Sequence, residues 1–149
     1  MSDWRASSET ALRNYRVAIV SAEFNKEYSD VLLKNTLEGL LDNGITEDTI
    51  SVVRVPGSFE LPFSCARLLS DGKHDAIIAL GILLRGETIH FDVVAREAAC
   101  GIQQLNVLGK IPVVFGVLTC DTKEQIQNRL SLGSGFATTA IRMMNLMYQ

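Results

Sequence analysis

An almost unbroken apolar run from Ala76 to Leu84 most constrains how this chain can fold. Strands buried on both faces of a parallel sheet have such continuous apolar sequences, whereas half-exposed strands alternate between apolar and polar residues. After the run, Val94, Ala98 and Ile102 recur at helical spacing. The chain is therefore predicted to change from a buried strand to a helix across residues 85–88, as it does in sheets covered by helices.

The turn between this strand and helix is the first candidate for a functional site. In open parallel sheets, ligands bind at the carboxyl ends of the strands, where a helix N-terminus presents unpaired N–H groups to anions. Gly86 allows close approach, Thr88 can cap the helix or donate to an anion, and His90 carries a group suited to proton transfer. An ordinary glycine-containing turn with a structurally satisfied histidine is the alternative interpretation.

Three further segments have the composition of buried or half-buried strands. They are Arg16–Ser21, Thr49–Val55 and Ile111–Thr119. Four strands followed by helices with right-handed connections predict a three-layer α/β/α sandwich around a four-stranded parallel sheet. Because the edges of so small a sheet need covering, we expect helices, an N-terminal arm or neighbouring subunits to lie there, and an oligomer to form.

Capping residues and apolar stripes predict four further helices. They run from Ser29 or Asp30 to Gly44, from the turn at 55–62 to Leu69, from Thr122 to Leu130, and from Phe136 to Tyr148. The last helix is expected to pack one face in the core or at an interface, and that face consists of Phe136, Ala140, Met143, Met144 and Met147. Residues 1–15 are predicted to form an arm, and residues 16–149 a single domain.

Charge and composition argue against several functional classes. A net charge of −3, without a basic stripe, argues against nucleic-acid binding. No apolar run reaches the roughly 18 to 20 residues of a membrane span, and residues 1–15 lack the apolar core of a signal peptide. Cys65, Cys100 and Cys120 form no CxxC pair, and only two histidines are present. We therefore expect a cytoplasmic protein with buried, reduced thiols and no metal site.

Four motifs, in this order and at these separations, resemble the lumazine synthase family. They are Phe24-Asn25, VPGSFELP at 55–62, ALGILLRGETIHFD at 79–92 followed by EAACGI at 97–102, and PVVFGVLT at 112–119 followed by EQIQNR ending at Arg129. The resemblance covers residues 16–148 and implies a flavodoxin-like sheet of strand order 2-1-3-4.

The resemblance also implies an activity. Members condense 5-amino-6-(D-ribitylamino)uracil with 3,4-dihydroxy-2-butanone 4-phosphate to 6,7-dimethyl-8-ribityllumazine, phosphate and water, without a cofactor or metal. They are similar in forming homo-oligomeric pentamers, some of which assemble into decamers or sixty-subunit shells. Each active site lies between adjacent subunits, so the partners implied are these two small molecules and further copies of the chain.

Carried over to this sequence, the resemblance implies a site for the pyrimidine ring. Phe24 would stack on the ring. Backbone amides of Ile82, Leu83 and Leu84 would line the ring's site. Phe115 would close the pocket from the neighbouring subunit.

The resemblance assigns the binding of the ribityl chain and the phosphate, and the catalysis, to residues of the other motifs. Ser58 and Phe59, through their backbones, and Glu60, through its carboxylate, would bind the ribityl hydroxyls, although first-turn capping alone could explain that glutamate. Glu87 would have to turn its side chain outwards to avoid repelling an anion. The phosphate would be held by Glu87, Thr88 and Arg129, the last of these from the same chain or from the neighbouring subunit. His90 would be the catalytic residue, exchanging protons during imine formation, phosphate elimination and ring closure.

Two other functions are alternatives. The archaeal type of riboflavin synthase is similar in fold and in its VPG segment, but RGETIH at 85–90 favours lumazine synthase. A non-catalytic shell or flavin-binding scaffold is favoured only by the segment LSLGSGFATTA at 130–140. This segment is shorter than the family's loop and has no lysine where the family places a basic residue beside the substrate's ring.

Overall fold

Four parallel strands form the centre of the molecule. The computed structural model describes residues 14–148, so residues 1–13 of the predicted arm and Gln149 lie outside it. The strands are β1 (Val17–Ala22), β2 (Ile50–Val55), β3 (Ala76–Leu84) and β4 (Val113–Cys120), in the order β2-β1-β3-β4. The predicted fold and strand order are confirmed, and β3 has the predicted bounds.

Five α-helices cover the two faces of the sheet. They are α1 (Lys26–Asp42), α2 (Leu61–Asp71), α3 (His90–Val107), α4 (Lys123–Arg129) and α5 (Leu132–Met147). Short 3-10 turns at Glu47–Thr49 and Ser58–Glu60 flank β2. The side chains of α1, α4 and α5 bury one face of the sheet, and those of α2 and α3 bury the other.

Strand β3 is the middle of the core because it pairs with β1 on one side and β4 on the other. Ile78 and Leu80 pack into the layer that contains α1 and α5, whereas Ile77 packs into the layer that contains α2 and α3. All three side chains are at most 1% exposed. Burial on both faces is the physical reason for the continuous apolar run of β3. Because β3 lies between β1 and β4, its carboxyl end lies in the interior of the sheet.

The observed N-cap of α1 is Asn25, four residues before Ser29 and five before Asp30, so the prediction that one of these two residues caps the helix was wrong. Asn25 adopts a left-handed conformation with φ 61° and ψ 50° and is the N-cap. Its carbonyl oxygen accepts hydrogen bonds from the backbone N–H groups of Tyr28 (2.9 Å) and Ser29 (3.0 Å). These bonds close the first helical turn early.

Helix α5 also begins earlier than predicted, at Leu132 instead of Phe136. The segment interpreted as a loop is helical because it packs closely on α1: a Cβ atom added at Gly133 would lie 2.9 Å from the carbonyl oxygen of Leu32. The amide of Asn35 on α1 donates to the carbonyl oxygen of Leu130 at 2.9 Å. Tertiary contact here outweighs the poor helix propensity of glycine.

The predicted apolar face of α5 is only partly in the core. Ala140 and Met144 are fully buried and Phe136 is half-buried, but Met143 and Met147 are 40% and 44% exposed. Tyr15, assigned to the arm, is 3% exposed, and its hydroxyl donates to the side-chain oxygen of Asn145 at 2.8 Å. The core of the described chain therefore begins at Tyr15.

No helix among residues 14–148 is both long enough and apolar enough to cross a membrane. The three cysteines are free thiols, and Cys65 and Cys120 are buried whereas Cys100 is exposed. The expectation of buried thiols is therefore confirmed at two of the three positions.

Burial of Cys65 predicts a loss of stability at alkaline pH. Desolvation raises the pKa of its thiol from 9.0 to about 12. Below the unfolded-state pKa the thiol is protonated in both states, so its contribution is fully present. As the pH rises further, the unfolded chain ionises first, and this contribution is lost by the folded-state pKa. At about pH 10 the loss amounts to about 1.4 kcal/mol.

Urea denaturation at several pH values measures this effect. Between about pH 7 and pH 10, the wild-type protein should lose about 1.4 kcal/mol more stability than Cys65→Ala. Cys100→Ala, at the exposed thiol, is the matched control and should follow the wild type. Parallel curves for wild type and Cys65→Ala would contradict the prediction.

Candidate functional site

A crevice of about 610 Å³ opens at the carboxyl end of the sheet, beside β3 and the N-terminus of α3. Three separate motifs meet there: the turn after β1, the segment after β2, and the turn between β3 and α3. Eight of the predicted site residues line the crevice, and they are Phe24, Ser58, Phe59, Glu60, Leu83, Leu84, Thr88 and His90. Residues far apart in sequence are therefore brought together at the strand ends, as the parallel sheet requires.

The turn after β1 holds an aromatic ring over the crevice. Phe24 is 68% exposed. Its backbone N–H donates to the carbonyl oxygen of Pro56 at 3.1 Å, and that of Glu23 donates to the carbonyl oxygen of Val55 at 2.8 Å. The backbone is thus tied to the end of β2 while the ring remains open to a flat partner.

The segment after β2 forms a compact polar wall. The N–H of Glu60 donates to the carbonyl oxygen of Gly57 at 3.1 Å, which closes the 3-10 turn. Ser58 is 3% exposed and packs against Gly81, where an added Cβ atom would overlap its hydroxyl oxygen. Glu60 makes no side-chain capping bond to α2 and instead lines the crevice. A side-chain hydrogen bond to α2 therefore does not explain this carboxylate, but its charge still lies at the positive end of the α2 dipole.

The third wall is the first turn of α3. The helix begins at His90, two residues after the predicted cap Thr88, whose hydroxyl oxygen accepts from the His90 N–H at 3.2 Å. The unpaired N–H groups of this turn carry the positive end of the helix dipole. His90 is exposed and lines the crevice. An imidazole and an anion-attracting helix end are therefore neighbours.

An ion network anchors the turn between β3 and α3. The Nε of Arg85 donates to Asp121 at 2.7 Å, one terminal nitrogen donates to both carboxylate oxygens of Asp92 at 3.2 Å, and the guanidinium lies 4.4 Å from the centroid of the Phe91 ring. The hydrogen bond to Asp121, followed by the attraction of Asp92, raises the pKa of Arg85. The arginine thereby links β3, α3 and the turn after β4.

Four predicted site residues do not line the crevice. Ile82 is 1% exposed, and its carbonyl oxygen accepts from the Asn25 amide at 3.2 Å. Glu87 is exposed. Phe115 lies on the edge strand β4 and is 36% exposed, and Arg129 is exposed on α4 and donates to the Gln125 carbonyl oxygen at 3.1 Å. Within one chain, the side chains of Phe115 and Arg129 therefore lie outside the crevice.

Sequence reasoning missed part of the lining, namely Gly57, Phe91, Val93 and Val94. Their proximity to the predicted VPG and RGETIH segments was the available signal, since a helix that starts at the crevice must present its first-turn side chains to it. No lysine or arginine is found among the described residues that line the crevice. Within residues 14–148, no group of three histidine, cysteine, aspartate or glutamate side chains is placed to hold a metal ion.

Comparison with known proteins points to one family. The family model described as 6,7-dimethyl-8-ribityllumazine synthase matches residues 14–148. A protein of that name from Thermotoga maritima is 46% identical over 136 residues, which cover 88% of this chain and 82% of the relative. Its namesakes from Porphyromonas gingivalis and Phocaeicola vulgatus are 38% and 39% identical, over 98% and 97% of this chain and 94% and 89% of their own.

Proposed function

This chain belongs to the 6,7-dimethyl-8-ribityllumazine synthase family, and we propose that the crevice beside β3 is where its two substrates condense. The protein is a transferase of riboflavin biosynthesis. It joins 5-amino-6-(D-ribitylamino)uracil to 3,4-dihydroxy-2-butanone 4-phosphate, giving 6,7-dimethyl-8-ribityllumazine, phosphate and water. The observation that supports this site is that Phe24, Glu60 and His90, from three separate segments, line one crevice.

The aromatic and apolar part of the crevice takes the pyrimidine. The exposed ring of Phe24 offers a stacking surface, and Leu83 and Leu84 lie at the end of β3. A flat heterocycle buried against an aromatic face gains contact area at little entropic cost. Ile82 contributes through its backbone alone, since its side chain is buried.

The wall formed by the 3-10 turn takes the ribityl chain. Glu60 lines the crevice beside Ser58 and Phe59, and a carboxylate accepts charge-assisted hydrogen bonds from sugar hydroxyls. Backbone groups of Ser58 and Phe59 supply the remaining polar contacts. This assignment separates the polyol from the apolar ring site.

The phosphate lies at the N-terminus of α3, near Thr88. The exposed side chain of Glu87 is free to stay away from the anion, so only its backbone is assigned to the site. Because no cation lines the crevice within the described chain, a neighbouring subunit supplies Arg129 as the counter-charge. Phe115 of the same neighbouring subunit closes the pocket. The assembly that follows from these two contributions is a pentamer with each site between adjacent subunits.

His90 carries the proton transfers. The substrate amine attacks the ketone and the adduct loses water, phosphate leaves by elimination, and attack of the second amine on the remaining carbonyl closes the ring with loss of a second water. Each step moves a proton, and the imidazole at the first turn of α3 lies beside the phosphate end of the crevice. Holding the two substrates together supplies most of the remaining acceleration. The protein performs this in the cytoplasm without a cofactor.

Mixing both substrates with the protein tests the function directly. We expect the absorbance and fluorescence of the lumazine product to appear together with released phosphate. Tight binding of both substrates without product would instead favour a scaffold, and conversion of added lumazine to riboflavin would favour riboflavin synthase. Sedimentation of the same sample measures the assembly.

Phe24→Ala should raise the KM for the pyrimidine substrate about 5- to 150-fold, because stacking on an aromatic ring is worth about 1–3 kcal/mol. The KM for the phosphorylated substrate should change little. Phe63→Ala is the matched control, since Phe63 is 74% exposed and does not line the crevice. Steady-state kinetics with each substrate varied in turn measures both constants, and equal effects of the two variants would remove Phe24 from the ring site.

A further inference from the structure

Asn25 has an unusual backbone conformation next to the proposed stacking residue. Among the described residues other than glycine, it is the only one with a positive φ, at 61°. Residues with a Cβ atom rarely adopt the left-handed region, and asparagine tolerates it better than most. Such conformations persist where the surrounding structure holds them, and they often occur near functional sites.

The contacts of Asn25 join the ends of two neighbouring strands. Its side-chain amide donates to the carbonyl oxygen of Ile82 in β3 at 3.2 Å. Its own carbonyl oxygen accepts from Tyr28 and Ser29 and so starts α1. Asn25 is half-buried and does not itself line the crevice. Any effect it has on a ligand must therefore pass through a neighbour.

That neighbour is Phe24, whose ring is 68% exposed. A side chain with so little packing of its own is directed by its backbone. The Phe24 backbone is anchored to Pro56 on one side, through its N–H. On the other side it is continuous with the left-handed Asn25, which is anchored to Ile82.

We propose that Asn25 is a positioning residue for the pyrimidine substrate: its left-handed backbone and its bond to the Ile82 carbonyl hold the Phe24 ring over the crevice. This inference rests on the proposed function of the crevice. It predicts that the amide of Asn25 affects pyrimidine binding, although it touches no substrate.

Two substitutions separate the amide from the backbone conformation. Asn25→Gly keeps access to the left-handed region but loses the amide, and Asn25→Asp keeps the shape but replaces the donor with an acceptor facing a carbonyl oxygen. Each should raise the KM for the pyrimidine about three- to tenfold, the size expected for one neutral hydrogen bond. The KM for the phosphorylated substrate should change less than about twofold, which is smaller than the effect of losing one neutral hydrogen bond.

A double-mutant cycle with Phe24→Ala supplies the decisive readout. If Asn25 acts through the ring, then Asn25→Gly should have no further effect on the pyrimidine KM once the ring is removed. Asn43→Asp is the matched control, because the Asn43 amide donates to the Gly39 carbonyl oxygen at 2.7 Å at the other end of α1. It should leave both KM values unchanged.

Additive effects of Asn25→Gly and Phe24→Ala, or equal increases in both KM values, would overturn the positioning role, because a general structural defect would produce them. Thermal unfolding of each variant checks that the fold is retained at the assay temperature. A wild-type protein that made no lumazine would overturn the proposed function itself, before any variant was compared.

Discussion

Replacing His90 by alanine is expected to lower kcat about a hundred- to ten-thousand-fold while both substrates still bind. The imidazole of His90 lines the crevice at the first turn of α3. The backbone N–H of His90 donates a hydrogen bond to the hydroxyl oxygen of Thr88. In the proposed mechanism, imine formation, phosphate elimination and ring closure all require proton transfer. Removing the side chain leaves the stacking ring and the polyol wall in place, so the loss should appear in kcat.

Product absorbance under saturating substrates measures kcat, and calorimetric titration of each substrate measures binding. His74→Ala is the matched control because His74 is the chain's other histidine and precedes β3, at the amino-terminal end of the strands and away from the crevice. That variant should keep the wild-type kcat. An unchanged rate in His90→Ala would remove this residue from the mechanism.

Gly116→Ala is expected to destabilise the fold by about 1–3 kcal/mol, the cost of overpacking a closely packed core. Gly116 lies within β4, where an added Cβ atom would be 2.7 Å from Cδ2 of Leu80 and 2.9 Å from the Ala79 carbonyl oxygen. A backbone oxygen within the sheet cannot move away without breaking the ladder. The Phe136 ring, also 2.9 Å away, blocks movement towards α5.

Denaturation at fixed protein concentration measures the effect, and each kcal/mol corresponds to about 2–4 °C in Tm for a domain of this size. Gly135→Ala in α5 is the control, because apart from its chain neighbours and the backbone of its own helix, no atom of residues 14–148 lies within 4 Å of a Cβ atom added there. An alanine in a helix is about 1 kcal/mol better than glycine, so this control should be neutral or stabilising. Equal stability of the two variants would contradict the packing argument.

Several features of the fold and site could be predicted because they depend on local sequence. The apolar run at 76–84 identified β3 with its bounds. The Thr122 cap of α4 is confirmed, since its hydroxyl oxygen accepts from the Gln125 N–H at 3.1 Å. The motifs after the strands indicated the residues of the crevice because parallel strands end at one edge.

Other features depended on contacts between distant residues and could not be predicted. Helix α1 begins at Lys26 because Asn25 is held in a left-handed conformation, and one of its anchors is Ile82, 57 positions away. Helix α5 begins at Leu132 because Gly133 packs against α1. Glycine-rich sequence alone favours a loop at that point, and only the close approach of two helices reverses the preference.

The sequence by itself determined the parallel sheet, its helical layers and the motifs that meet at the strand ends, because hydrophobic periodicity reports burial residue by residue. Only the tertiary structure decided that the crevice lined by Phe24 and His90 is lined by no lysine or arginine of residues 14–148. It also decided that Phe115 and Arg129 face elsewhere in the same chain. Such placements depend on packing between segments far apart in sequence, to which local periodicity is blind.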